Sequence, residues 1–260
     1  MYRLTSCSGV DVPHFLPSHL LQRRVNVDLV GCGGNGSQML TGLARLSHAI
    51  QALGHPGLHV HAYDPDTVSE ANLARQLFTA ADVGQHKALV LTHRINAFFG
   101  LDWRATPALY RRGNQSDIVI MCVDSIGARH EIHQHFHSMG REPHYIMDLG
   151  NRASDGQMII GQPRTSVTAG HAAPAGHVRL PYPYDVLPEL INVALPEDDT
   201  PSCGLAEALE RQELFINQAV VTPALQLLWE LFRHGRLTWH GAFINLRTGR
   251  MQPIQVKEPA

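Results

Sequence analysis

Short apolar runs alternate with longer stretches of helical period along the first two thirds of the chain. NVDLVG, residues 26–31, reads as a buried strand. After a run of glycines, Met39, Leu40, Leu43, Ala44 and Leu46 fall on one face of a helix spanning about 34–53. LHVHAY, residues 58–63, alternates as a second strand, and KALVLTHRINAFFG reads as a helix that Asp82 is placed to cap and Gly100 to stop. WRATPALY carries a fainter strand pattern. DIVIMCVD, residues 117–124, is a buried strand ending in a carboxylate, followed by a helix across ARHEIHQHFHSM and a further strand in HYIMDLG. Such alternation predicts an α/β, Rossmann-like fold: a mostly parallel sheet with right-handed crossovers, helices on both faces, and ligands outside the carboxyl ends of the strands. Asp64 and Asp124 fall at those ends.

The last third reads differently. After a strand at QMIIG, seven of the sixteen prolines lie between Gln162 and Pro201, with little periodicity, which predicts a long crossover loop. From Cys203 to about Phe232 the apolar spacing is helical again, with a kink expected at Pro223. GAFINLRTGRMQPIQV reads as an antiparallel hairpin turning at Thr248 and Gly249. The expected organisation is one domain: an N-terminal extension (1–25), a nucleotide-binding core (26–161), the crossover loop (162–202), and a C-terminal helix and hairpin (203–260).

Composition narrows the function classes. A length of 260 residues suits one large α/β domain, and 21 basic against 23 acidic side chains leave no polycationic face for nucleic acid. No window approaches the roughly 18 apolar residues of a membrane span. The start of the chain lacks a basic segment followed by an apolar one, so a cytoplasmic protein is expected. Cys7, Cys32, Cys122 and Cys203 are scattered and form no C-x-x-C pair, against both a disulfide framework and a tetrathiolate zinc site.

Gly31-Cys32-Gly33-Gly34-Asn35-Gly36 satisfies G-x-G-x-x-G between a strand and a helix, where bare backbone N–H groups can approach a phosphate. The glycines alone do not choose the nucleotide, since nicotinamide and flavin enzymes share them. Four motifs downstream of them do: Asp64-Pro-Asp66-Thr67-Val68, Asn72-Leu-Ala-Arg75-Gln76, Asp82-Val-Gly84-Gln-His-Lys87, and Cys122-Val-Asp124 with Arg129 five residues on. In this order the motifs resemble the ThiF/MoeB, ubiquitin-activating-enzyme-like adenylating family, nearest to the ThiF-like members of PRTRC plasmid-type cassettes. The resemblance runs from about residue 27 to 130 and resumes near Cys203. It implies ATP and Mg²⁺ as cofactors, a homodimer, and a small ubiquitin-like or sulfur-carrier protein whose C-terminal carboxylate is adenylated.

Physical reasons accompany those assignments. Arg75 and Lys87 are cations suited to the charge that builds on phosphate under carboxylate attack. Asp124 at a strand end suffices as the protein's ligand to magnesium, which keeps waters and binds phosphates. Asp64 is placed to accept from ribose hydroxyls. Asn72 and Gln76 are candidates to hold phosphates or the metal's waters, the resemblance pointing chiefly to Asn72 and Arg75. Gly31, Gly33, Gly34, Gly36 and Asp66 complete the candidate nucleotide site.

Cys203, expected at a helix start where the dipole favours a thiolate, is either an acyl acceptor or a small packing residue. Cys32 and Cys122 read as core. His130, His133, His135 and His137 read as a polar helix face rather than a metal site, for want of a third ligand and a second shell. Arg23 or Arg24 is the candidate for an arginine given to a partner subunit. Three departures from the family stand out: Asn35 where an apolar residue is common, Ser125 after Asp124, and no paired C-x-x-C motifs, so no zinc is expected. Rival functions are adenylation of a small or tRNA-linked carboxylate, and an ATP-binding scaffold without turnover. An NAD-dependent oxidoreductase is disfavoured, because a phosphate-facing Arg and Lys serve phosphoryl chemistry.

Overall fold

The computed structural model describes residues 12–73, 75–111, 116–138, 142–163, 178–195 and 212–257. Eight strands form the main sheet: β2 (Val25–Val30), β3 (Leu58–Tyr63), β4 (Arg104–Thr106), β5 (Ile118–Met121), β6 (Tyr145–Asn151), β7 (Asp155–Gly161), β9 (Trp239–Asn245) and β10 (Arg250–Gln255). Their order across the sheet is β10-β9-β7-β6-β5-β2-β3-β4. Strands β6, β5, β2, β3 and β4 are mutually parallel, and β7, β9 and β10 extend the sheet in antiparallel fashion. The chain runs outward from β2 through β3 to β4, then returns to the other side of β2 as β5. That reversal is the crevice where open α/β sheets take ligands.

Alternation along the central strands sorts side chains into two cores. Val27 and Leu29 of β2, Ile118 and Ile120 of β5, and Tyr145, Met147 and Leu149 of β6 share one core with α1 (Gly34–Ala52), α2 (Lys87–Phe99) and the C-terminal helix. Val30, Val119, Met121 and Ile146 point to the other face, against Ile132 and Phe136 of α3 (Ile126–Ser138) and against Tyr182 and Tyr184. With both faces covered, the strands are apolar almost throughout, which is why they read as buried runs.

Some expectations are corrected. Asp82 does not cap α2, whose N-cap is His86 without a side-chain hydrogen bond; Asp82 instead ends the 3-10 turn Ala80–Asp82, accepting from Thr79 N and from Arg94. Gly100 does close α2, in the left-handed conformation. Of the expected 162–202 crossover loop, the stretch 178–195 holds α4 (Pro183–Val186) and a 3-10 turn (Pro188–Ile191), with Val178, Leu180, Tyr182 and Tyr184 buried. The C-terminal helix, α5, spans Ile216–His234 after a turn at Leu214 and Phe215, so it is not continuous from Cys203. Pro223, where a kink was expected, is buried inside this helix. Within the expected N-terminal extension, β1 (His14–Phe15) pairs with β8 (Arg236–Leu237), and Leu16 and Leu20 are buried. Cys7, Cys203 and the side chain of His137 lie outside the described residues.

Candidate active site

The turn between β2 and α1 forms one wall of a cleft of about 940 Å³ at the carboxyl end of the parallel strands. Gly31 has φ +91°, and a Cβ there would come 2.7 Å from the Cys122 carbonyl oxygen of the neighbouring strand. At Gly36 a Cβ would sit 1.8 Å from the Gly31 carbonyl oxygen, so the first turn of α1 can fold back over the loop only without a side chain. Among the described residues no side chain caps α1, and Gly33, Gly34 and Asn35 line the cleft, which turns first-turn N–H groups and the positive end of a 19-residue helix toward it.

Asp64, just past β3, fixes this turn: its Oδ2 accepts from Cys32 N at 2.5 Å and its Oδ1 from Asp66 N at 2.8 Å. Burial pushes its carboxyl upward, and those two backbone donors work against the shift. Lys87 opens α2, and its Nζ reaches Asp66 Oδ2 at 2.8 Å. Arg75 lies on the same cleft, with Nη1 donating to Gln212 Oε1 and Nε buried without a partner among the described residues. Gln76, also buried on that cleft, has an Oε1 without a partner among the described residues. Asp124 faces them from the β5–α3 turn, exposed in the cleft, its carboxylate making no hydrogen bond to the described residues. An exposed carboxylate at a strand end, close to an anion-binding turn, fits a magnesium ion shared with phosphates.

The structure therefore brings Gly31, Gly33, Gly34, Asp64, Asp66, Arg75, Gln76, Lys87 and Asp124 to one cleft. Gly36 supports it from beneath. Asn72 stands apart from the lining: its Oδ1 accepts from Ser69 N at 2.9 Å and caps the 3-10 turn Glu70–Asn72. Arg23 pairs with Asp117 and Arg24 with Asp102, next to the start of β2, the end of the strand away from the cleft.

Arg129 and Asn35 stood out in the sequence without a role, and their partners Asp148, Tyr184, Asn151 and Asn217 carried no signal there. Arg129 is buried and donates to Asp148 Oδ2 at 3.1 Å and to the carbonyls of Val123 (2.6 Å) and Leu149 (3.3 Å), clamping the turn that holds Asp124. Tyr184 adds a hydrogen bond to the same Asp148 oxygen at 3.0 Å. At the start of α5, Asn217 donates to Asn35 Oδ1 and Asn151 Oδ1, each at 3.0 Å, tying α1, β6 and α5 together. The polar Asn35, odd against the family pattern, is thereby explained. The histidines of α3 have separate partners: His130 bonds Ile191 O, His133 Tyr182 Oη, and His135 Glu131 O. Among the described residues no cluster of His, Cys, Asp or Glu is arranged to hold a metal ion, and no helix is long and apolar enough to cross a membrane.

Comparison with known proteins adds three findings. A family model described as the ThiF family matches residues 20–179. Among solved structures, E. coli MccB crystallised with MccA superposes with a TM-score of 0.57 at 14% identity, over 93% of this chain and 66% of that one. PaaA gives 0.56 at 13%, over 91% and 65%, and E. coli MccB with AMPCPP and MccA gives 0.54 at 12%, over 90% and 64%. The chain thus spans just under two thirds of the length of these proteins, and at such identities the likeness is one of fold. No curated protein sequence matches.

Proposed function

The chain belongs to the ThiF family, and from that premise we propose that it adenylates a carboxylate at the expense of ATP. The observation that carries the proposal is the convergence, in one cleft, of a helix N-terminus without a side-chain cap, two cations, one from the β3–α2 loop and one opening α2, and an exposed carboxylate. Helix N–H groups and the Gly31–Gly36 turn receive the phosphates. Lys87 and Arg75 offset the negative charge that grows as a substrate carboxylate oxygen bonds to the α-phosphorus and the bond to pyrophosphate breaks. Asp64 rigidifies the turn and keeps lone pairs for the ribose hydroxyls. Asp124 would hold magnesium, which supplies charge neutralisation across the phosphates. The products are an acyl-adenylate and pyrophosphate.

The cleft is larger than a nucleotide alone needs, its volume lying near the upper end for small-ligand sites. Beside the glycine turn its lining continues along β6, β7 and β9 through Asn151, Arg152, Gln157 and Phe243, which leaves room for the end of an acyl substrate. We assign that substrate to the C-terminal carboxylate of a small ubiquitin-like or sulfur-carrier protein, with Cys203 as candidate acceptor in a second step and a cytoplasmic homodimer as the working form. Within the family the order of motifs keeps it nearest the PRTRC-type members.

The deciding measurement is ATP:pyrophosphate exchange with Mg²⁺, with and without small carrier proteins encoded nearby, on wild type and Asp124→Ala. Exchange that needs a carrier and is lost in the variant is the expected result. Binding of MgATP without exchange under every partner condition would make the protein a scaffold instead. Cys203→Ala separates the steps: adenylate formation persists, and a thiol-sensitive adduct disappears if the cysteine takes the acyl group.

A further inference from the structure

We propose that Gln212 is a positioning residue for Arg75, holding its guanidinium in the cleft through a neutral acceptor so that its charge stays available to the triphosphate. Arg75 comes from the loop between β3 and α2, and the residue that receives its Nη1 lies 137 positions later, just before α5. Gln212 is itself braced at both ends. Its Nε2 donates to the Arg152 carbonyl oxygen at 3.3 Å, and the next backbone amide, Glu213 N, donates to the Ala153 carbonyl oxygen at 2.8 Å. The β6–β7 turn thus carries Gln212, and Gln212 carries Arg75 across the cleft.

The chemistry of the acceptor matters more than its place. An arginine offers five N–H donors on a stem with much rotamer freedom, so a catalytic arginine gains from being fixed before its ligand arrives. A carboxylate in this position would fix it too, but by a forked ion pair that uses up the charge and competes with phosphate. The Gln212 amide oxygen takes one N–H and contributes no charge. Among the described residues no acid pairs with Arg75, whose Nε is buried without a partner, so the guanidinium is left half-buried and electrostatically unsatisfied. An anion entering the cleft completes it.

The inference rests on the adenylation reading for the identity of that anion, and the test keeps the two apart. MgATP binding is measured calorimetrically on the whole chain for wild type, Gln212→Glu, Arg75→Ala and the double variant, with a thermal melt of each. Gln212→Glu is expected to weaken MgATP by about tenfold, as an ion pair replaces a neutral hydrogen bond, without lowering the melting temperature. In the Arg75→Ala background the same change is expected to have under about a twofold effect, because the coupling runs through the guanidinium. Gln212→Glu with unchanged affinity, or an equal loss in both backgrounds, overturns the positioning role while leaving the adenylation reading intact. Failure of the wild type to bind MgATP sinks the adenylation reading, and with it the ligand assigned to Arg75.

Discussion

Gly36 has no room for a methyl group: the added carbon would overlap the Gly31 carbonyl oxygen at 1.8 Å, and backbone on backbone cannot swing aside. Gly36→Ala is expected to cost about 1–3 kcal/mol or more in a urea titration and to weaken MgATP by at least about tenfold, since the anion-binding turn must shift. Cys32 and Cys122 make the opposite kind of prediction. Both thiols are buried, and burial pushes both well above the ordinary thiol range. Neither should react with Ellman's reagent in the folded protein at neutral pH, while unfolding in guanidinium should release both. Reading these two as core was possible from their place in a turn and an apolar strand. The role of Asn35 was not, because its partners Asn151 and Asn217 lie 116 and 182 positions away.

At the level of elements, the turn between β5 and α3 shows how a buried charge serves an exposed one. Arg129 holds the carbonyls of Val123 and Leu149 while its charge is balanced by Asp148, which has no exposed surface. Removing the guanidinium strands that carboxylate, so Arg129→Met is expected to destabilise by about 3–5 kcal/mol in chemical denaturation. Asp124→Ala, on an exposed side chain of the same turn, should change stability by no more than about 0.5 kcal/mol yet abolish pyrophosphate exchange. The pair of variants separates scaffold from chemistry. Strand–turn–helix units around this turn were legible because strands buried on both faces give unbroken apolar runs. The paired β1 and β8 were not, each being two residues long and below any periodicity. The start of α5 was misjudged for a related reason: Leu205, Ala208, Leu209 and Leu214 keep a helical spacing, but the turn at Leu214 and Phe215 interrupts it.

Across the whole molecule, the cleft exists because the chain leaves β2 in both directions, and that topology follows from strand order rather than from any one motif. The stability of this arrangement is predicted to fall on mild acidification. His240 on β9 and His144 just before β6 are both held below the ordinary histidine range, chiefly by burial. The His240 ring bonds the Ile160 carbonyl oxygen, whereas His144 lies against His19, Asp117 and Arg23. A depressed histidine pKa means that the unfolded chain binds more protons than the fold as pH drops below about 6.5. The stability present above that value is therefore lost as pH falls through the folded-state pKa. Urea midpoints measured at pH 7.5 and 5.5 should fall in wild type, and fall less in His240→Asn, whose neutral amide nitrogen takes the place of Nδ1 and can still donate to Ile160 without taking up a proton. An equal fall in both proteins would mean that His240 is not one of the groups through which acid acts on the sheet.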